Sequence, residues 1–243
     1  MPKTNLTQVK TSDAWNKFNG KIRAKDKEPG LKEKITTYCS NVEEFFTNYV
    51  LCEVPEDVPV WVAGGALRDY FLYGYVKGGT DIDLFTNNQE NFDKIRESLL
   101  EFYDEKYESK YALTFFDKED NEKMVEISRV LHENPQECVG AFDFTACCAY
   151  VGRWPSTGSA SGMAIGKVGH DAAEEFFEDC YNKKLRIIRL GDNPSETLKR
   201  IQTYIAKGFE FSNFEKISLV SNYLKGELQL EELVEEYEGL RLA

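Results

Sequence analysis

The chain has 243 residues, of which 42% are hydrophobic and 30% are charged, a composition typical of one large globular domain or two small ones. Its net charge of −12 argues against a protein that binds nucleic acid over its whole surface. No apolar run approaches the roughly 18 residues that a membrane helix needs, so we expect no membrane partner and a cytoplasmic location.

The N-terminal residues 1–30 are polar, and residues 1–28 carry seven Lys/Arg against three Asp/Glu. We interpret residues 1–30 as a polar basic arm, either loose or forming a short lead-in helix. Such an arm could contact RNA or simply be solvated. The six cysteines have no metal-ligand spacing and only two histidines accompany them, so reduced thiols are favoured over a zinc site.

The periodicity of apolar residues then predicts the elements in chain order. A first helix over residues 31–51 has its apolar face at Ile35, Cys39, Val42, Phe46 and Tyr49. The remaining predictions are a strand at 60–65, a helix at 66–74, a strand at 80–86, a helix at 91–106 capped by its own Asn91, strands at 111–117, 123–130 and 142–152, a loop at 156–162, a helix at 171–183, a strand at 184–188 and a helix at 193–209.

The segment "TDIDLFT" holds two carboxylates one residue apart. In a strand, Asp81, Asp83 and Phe85 share one face, while Ile82 and Leu84 share the other. Two carboxylates held so close repel each other unless a cation lies between them. Carboxylate oxygens favour Mg²⁺ or Mn²⁺, which take their remaining ligands from water and substrate phosphates. The pattern predicts a metal site for a nucleoside triphosphate (NTP), although alone it also occurs at solvated strand edges.

The glycine pair Gly64 and Gly65 lies between the predicted strand and the next helix. Without side chains, this backbone can approach phosphates closely, and the N–H groups at the start of the helix favour anions. Arg68, one turn into the helix, could reach a phosphate or pair with Asp69.

The segments "GGALRD" and "TDIDLF" together resemble the signature of the polymerase-β-like nucleotidyltransferase superfamily. The resemblance is closest to the class II branch, which contains CCA-adding tRNA nucleotidyltransferases and bacterial poly(A) polymerases. That signature reads Gly-Gly-x-x-Arg-Asp, a spacer, and then Asp-x-Asp before an apolar residue. Its positions are filled here by Gly64, Gly65, Arg68, Asp69, Asp81 and Asp83.

Two further segments extend the resemblance. "AFDFTACCAY" is similar to the family's Arg-Arg-Asp-Phe-Thr strand, with Asp143 matching and Phe142 replacing one arginine. The resemblance implies that Asp143 is a third carboxylate or a ribose contact; an aspartate bonded to backbone is the alternative. "NPSETLKRIQTYIAKGF" is similar to the family's arginine-rich helix, which implies phosphate or base contacts for Lys199 and Arg200. A solvated helix face is the alternative for both.

The sequence also departs from the family. "FFEDCYNK" lacks the arginine of the Glu-Asp-x-x-Arg helix that selects C and A in CCA-adding enzymes. The residues after Phe209 are too few for the family's long helical body, which holds tRNA. A minimal transferase with another acceptor is therefore also expected.

The resemblance implies an α+β fold: a polymerase-β-like nucleotidyltransferase head, with a mixed sheet and flanking helices, followed by a small helical part. We expect the arm at 1–30, the catalytic domain at 31–165 and a small, mainly helical part at 166–243.

The implied activity is metal-dependent transfer of NMP, from ATP or another NTP, to an acceptor hydroxyl, with Asp81 and Asp83 as metal ligands. The acceptor would be an RNA or tRNA 3′ end. The alternatives are a protein or small-molecule hydroxyl, or a non-catalytic nucleotide-binding module. The sequence does not determine the oligomeric state.

Overall fold

The structure, a computed structural model, describes residues 29–120, 122–154, 168–189, 194–212 and 216. The chain divides into two compact units, Met1–Gly30 and Leu31–Ala243, and the second contains nearly all of the described residues. The predictions for residues 1–28 and for the loop at 156–162 lie outside the described residues. In the part of the chain that is described, no helix combines the length and the apolar character needed to cross a bilayer.

A mixed β-sheet forms the centre of the second unit. Within the described residues its seven strands are β1 (Val60–Ala63), β2 (Ile82–Phe85), β3 (Tyr103–Glu108), β4 (Ala112–Asp117), β5 (Met124–Ser128), β6 (Ala149–Arg153) and β7 (Gly169–Ala172). Their order across the sheet is β3-β4-β5-β2-β1-β6-β7. Strands β2 and β5 are parallel, and the other neighbouring pairs are antiparallel.

Helices flank this sheet. In the described ranges they are α1 (Leu31–Tyr49), α2 (Gly65–Tyr73), α3 (Gln89–Leu99), α4 (Pro135–Gly140), α5 (Glu174–Tyr181) and α6 (Pro194–Ala206). Short 3₁₀ turns lie at Leu51–Glu53 and Thr145–Cys147. A mixed sheet with flanking helices is the predicted α+β fold class, which is confirmed.

The two faces of the sheet have different surroundings. Ile82 and Leu84 of β2 belong to the main hydrophobic core, together with apolar residues of the helices. The opposite face, called the second face below, carries a smaller apolar cluster that includes Trp61, Phe85 and Tyr150. Because strand side chains alternate, Asp83 is directed to the second face along with Phe85, as the sequence predicts.

Several predicted helix boundaries are wrong. On α1 the buried stripe is Tyr38, Val42 and Phe46, whereas Cys39 is exposed. Tyr38 completes this stripe because steps of four residues keep side chains on one face. Helix α3 ends at Leu99 rather than at residue 106, and its cap is Asn88, whose side chain accepts the backbone N–H of Asn91.

Edge and turn structure accounts for the other errors. Residues 103–106, predicted as the end of a helix, belong to the edge strand β3, in which Tyr103 is buried and most charged residues are exposed. The predicted strand at 142–152 is interrupted by the 3₁₀ turn Thr145–Cys147. Residues 184–188, predicted as a strand, form only the isolated bridges Phe144–Ile187 and Lys184–Glu210. The predicted helix at 171–183 begins at Glu174, because Gly169–Ala172 pairs with β6.

Candidate metal and nucleotide site

The site begins at the corner where β1 turns into α2. Gly64 has a φ of 90° and caps α2, and its N–H donates to the carbonyl of Ala149 on β6. This backbone conformation is one that L side chains rarely adopt, so glycine is required here. A Cβ on Gly64 would lie 3.4 Å from Oδ2 of Asp83, so the corner lies directly against the strand that carries the aspartates.

Three carboxylates converge next to this corner. Oxygens of Asp81, Asp83 and Glu126 all lie within 4.8 Å of one another. Asp83 and Glu126 face each other in the register of the parallel strands β2 and β5. Thr114, opposite Glu126 on β4, donates its hydroxyl to Glu126 Oε1 at 2.7 Å, which fixes the orientation of that carboxylate. Three hard oxygen donors in one cluster fit a divalent cation such as Mg²⁺ or Mn²⁺.

The electrostatics of Asp83 support this interpretation. Burial raises the pKa of Asp83 well above its ordinary value, and the negative charges of Asp81 and Glu126 raise it further. Arg200 opposes this rise. A carboxylate in such surroundings is costly to ionise, and a bound cation would remove the cost by favouring the charged form.

Arg68 and Asp69 form a buried ion pair behind the glycine corner. Arg68 is 2% exposed, and its Nε and Nη2 donate to Asp69 Oδ1 at 2.9 and 2.7 Å. The other oxygen, Asp69 Oδ2, accepts the hydroxyl of Thr80 at 2.7 Å. Thr80 immediately precedes Asp81, so the pair holds the start of the carboxylate strand in place.

Helix α6 completes the surroundings of Arg68. Arg68 Nη1 donates to the hydroxyl of Tyr204 at 2.7 Å, and that hydroxyl lies 2.6 Å from the Cys147 sulfur. The guanidinium carbon also lies 5.0 Å from the centre of the Tyr204 ring. Burial disfavours the charged form of Arg68, but Tyr204 and Asp69 outweigh that effect and the pKa of Arg68 is raised.

Asp143, which lies just before the 3₁₀ turn, interacts with α6 and is not a member of the carboxylate cluster. It is 3% exposed, and its Oδ2 accepts from Thr197 Oγ1 at 3.0 Å and from Arg200 Nη1 at 2.5 Å. The Arg200 side chain is 56% exposed and also acts on Asp83 electrostatically. The Lys199 side chain is exposed, and its ammonium pairs with Glu196 at 2.8 Å.

The structure therefore brings together most, but not all, of the residues that the sequence singles out. Gly64 and the two strand aspartates meet at one place, with Arg200 within electrostatic reach. Glu126 is the residue that sequence reasoning missed. Its only sequence signal is an acid between Val125 and Ile127 of a predicted strand, and the parallel pairing that aligns it with Asp83 is not visible in the sequence.

Asp179, noted in the sequence as part of an incomplete base-selecting motif, is fully buried. It accepts the hydroxyl of Thr145, and its other oxygen accepts from Arg186 at 3.2 Å. These contacts hold α5 against the 3₁₀ turn.

A family model described as Gabija anti-defense 2 (Gad2) family protein matches residues 30–157, which is more than half of the chain. The chain belongs to the Gad2 family. The match covers the glycine corner and all three clustered carboxylates. No curated protein sequence matches this Gad2-family chain.

Solved structures of CCA-adding enzymes resemble the chain in fold. A CCA-adding enzyme in complex with CTP is 15% identical with a TM-score of 0.50, covering 81% of this chain and 46% of that one. A complex with ATP is 17% identical with a TM-score of 0.47, covering 79% of this chain and 43% of that one. A Thermotoga maritima CCA-adding enzyme complexed with tRNA is 18% identical with a TM-score of 0.44, covering 78% and 43%. The Gad2-family chain thus spans less than half the length of these proteins, and at such identity the likeness concerns the fold.

Proposed function

We propose that this chain is a metal-dependent nucleotidyltransferase, which transfers NMP from an NTP to an acceptor hydroxyl and releases pyrophosphate. The observation that carries the proposal is the convergence of Asp81, Asp83 and Glu126 beside Gly64. A carboxylate cluster alone is common on protein surfaces. Here the cluster lies against a glycine corner that opens a helix, on a fold that CCA-adding enzymes share.

The three carboxylates would hold Mg²⁺ or Mn²⁺. A divalent cation bound there would neutralise phosphate charge and lower the pKa of an attacking hydroxyl. Backbone N–H groups at the start of α2 would bind phosphate oxygens, because Gly64 and Gly65 place no side chain in their way. The acceptor oxygen forms a bond to the α-phosphorus, the bond from that phosphorus to the β-phosphate bridging oxygen breaks, and the hydroxyl proton passes to water.

The cations near the cluster have different proposed roles. We propose that Arg200 contacts the phosphates, since its guanidinium is partly exposed and acts on Asp83, and that Asp143 orients Arg200. Lys199 would serve as an outer phosphate contact that must first leave Glu196. Arg68 and Asp69 would act by holding the corner and Thr80, because their side-chain polar atoms are already paired.

The acceptor that we propose first is an RNA or tRNA 3′ end, supported by the shared fold with CCA-adding enzymes. The family description favours a second acceptor, a hydroxyl on a protein of the Gabija defence system named in it. The net charge of −12 also favours this second acceptor, because it weakens attraction to RNA.

The experiment is to incubate the protein with each α-³²P-labelled NTP and Mg²⁺ or Mn²⁺, in the presence of total RNA or of the purified proteins of a Gabija system. Label on RNA or on protein would support the reaction and identify the acceptor class. Asp81→Asn and Asp83→Asn should abolish labelling, whereas Asp93→Asn, which changes an exposed acid of α3, should not. Labelling that survives in both site variants would refute the assignment. Absence of any label would favour the non-catalytic module.

A further inference from the structure

An aromatic ring lies against the same glycine as the carboxylates. Among the described residues, a Cβ on Gly64 would have two side chains within 4 Å: Asp83, with Oδ2 at 3.4 Å, and Phe142, with Cε2 at 3.9 Å. Phe142 directly precedes Asp143 in the chain. The glycine corner is thus bordered by the carboxylate of Asp83 and by the phenyl ring of Phe142.

The Phe142 ring is available to a ligand. It is partly exposed, and it packs on the smaller apolar cluster of the second face. Its centre lies 6.0 Å from that of Phe85, at an angle of 52°. Phe85 is on the same face of β2 as Asp83, so the two phenyl rings continue the surface on which the carboxylates lie. The neighbours of Phe142 therefore hold the ring in place without fully covering it.

We propose that Phe142 stacks on the nucleobase of the bound NTP. The inference rests on the proposed function, because the carboxylates and the glycine corner must hold the triphosphate. In a nucleotide anchored there by its phosphates, the ribose separates the base from the α-phosphate, so the base would lie beside the glycine corner rather than on it. Phe142 is a partly exposed apolar ring that adjoins the corner and continues away from it towards Phe85. Because every base has a π-face, a single phenyl ring would bind any base and discriminate little among the four.

A binding experiment tests this proposal without relying on catalysis. The ligands are the non-hydrolysable analogue of whichever NTP the wild type binds most tightly and inorganic tripolyphosphate, which has no base, both with Mn²⁺. Their Kd values are measured by calorimetry for the wild type and for Phe142→Leu, Phe142→Tyr and Asp83→Asn. Phe102→Leu, a change at an exposed ring on the α3–β3 turn, is the matched control.

We expect Phe142→Leu to weaken binding of the analogue about tenfold, the loss typical of one stacked base, and to leave tripolyphosphate binding unchanged. Phe142→Tyr and Phe102→Leu should bind like the wild type, and Asp83→Asn should lose both ligands. If Phe142→Leu binds the analogue normally, or loses both ligands equally, the stacking role is wrong while the metal and phosphate site stands. If the wild type shows no Mn²⁺-dependent binding of either ligand, the proposed function is wrong, and the stacking role with it.

Discussion

Asp83 and Glu126 lie opposite each other on the two strands of the sheet that run parallel. Their side chains point to the second face. The residues before and after each of them in its strand point to the opposite face and are buried in the main core. Asp81 completes the cluster from just before β2. The fold thus holds three carboxylates at a distance where they repel, and this repulsion favours binding of a divalent cation.

Glu126→Gln should weaken metal binding, because the variant keeps the shape of the side chain and loses its charge. We expect Mn²⁺ affinity to fall by at least about tenfold, since even the loss of an outer partner of a metal site costs that much. The measurement is Mn²⁺ titration followed by electron paramagnetic resonance. Glu97→Gln, an exposed acid on α3, is the matched control and should bind like the wild type. Equal affinity in the Glu126→Gln variant would remove Glu126 from the site.

Asp83→Asn should stabilise the metal-free protein at neutral and alkaline pH. The pKa of Asp83 is raised in the folded state, so the unfolded chain releases this proton first as the pH rises. The contribution of Asp83 to the free energy of unfolding is therefore greatest below its ordinary pKa and is lost as the pH rises towards the folded value. Asn cannot ionise and avoids that loss.

Thermal unfolding in EDTA checks this prediction. The Tm of Asp83→Asn should exceed that of the wild type at pH 8, by about 2–4 °C for each kcal/mol recovered, and the difference should shrink as the pH is lowered to 5. Mn²⁺ at pH 8 should raise the Tm of the wild type and not that of the variant. A variant that is less stable than the wild type at pH 8 without metal would contradict the argument.

The short-range features of the site could be predicted from the sequence. The alternation "DID" determines which strand face carries the carboxylates, and a glycine pair between a strand and a helix indicates the corner. Each of these signals is contained in a few consecutive residues. Glu126 could not be predicted, because its partnership with Asp83 depends on a parallel pairing of strands that are distant in sequence.

Similar reasons explain the errors in the predicted secondary structure. The charged segment "YDEKYE" has the composition of a helix, but it forms an edge strand because β4 offers it backbone hydrogen bonds and the edge keeps its charges in water. Near Asp143, the 3₁₀ turn Thr145–Cys147 brings the chain against α5, where Thr145 bonds the buried Asp179. That contact joins segments far apart in sequence, so periodicity could not indicate it.

Arg68→Met should destabilise the protein, because it leaves Asp69 buried without its cation. Breaking a buried ion pair from one side costs about 3–5 kcal/mol. Denaturant unfolding measures the loss. The matched control is Arg96→Met, which breaks the exposed pair between Arg96 and Glu105 and should cost at most about 1 kcal/mol. Normal stability of Arg68→Met combined with weak NTP binding would instead indicate a direct phosphate contact.

Tyr204→Phe should destabilise the protein by a smaller amount. The variant removes the hydroxyl that accepts from Arg68 and contacts Cys147, so a buried guanidinium N–H loses its partner. A lost partner of a buried polar group costs about 1–3 kcal/mol. Tyr111→Phe, at an exposed tyrosine, is the control for the loss of a hydroxyl alone. Equal unfolding midpoints for Tyr204→Phe and the wild type would show that the hydroxyl contributes nothing to the Arg68 network.

Gly64→Ala should have a larger effect on ligand binding than on the stability of the fold. Its φ of 90° makes an L residue costly there, by about 1–3 kcal/mol, and the added Cβ would lie 3.4 Å from Asp83 Oδ2. The matched control is Gly74→Ala, which has a similar φ of 77° at the end of α2 and no atom within 4 Å of the added Cβ. Gly74→Ala should lose about 1–2 kcal/mol of stability from the left-handed backbone alone.

Tripolyphosphate binding with Mn²⁺, measured below the unfolding temperature of both variants, should be lost in Gly64→Ala and kept in Gly74→Ala. Equal binding by the two variants would mean that Gly64 is needed for the backbone turn and not for ligand binding.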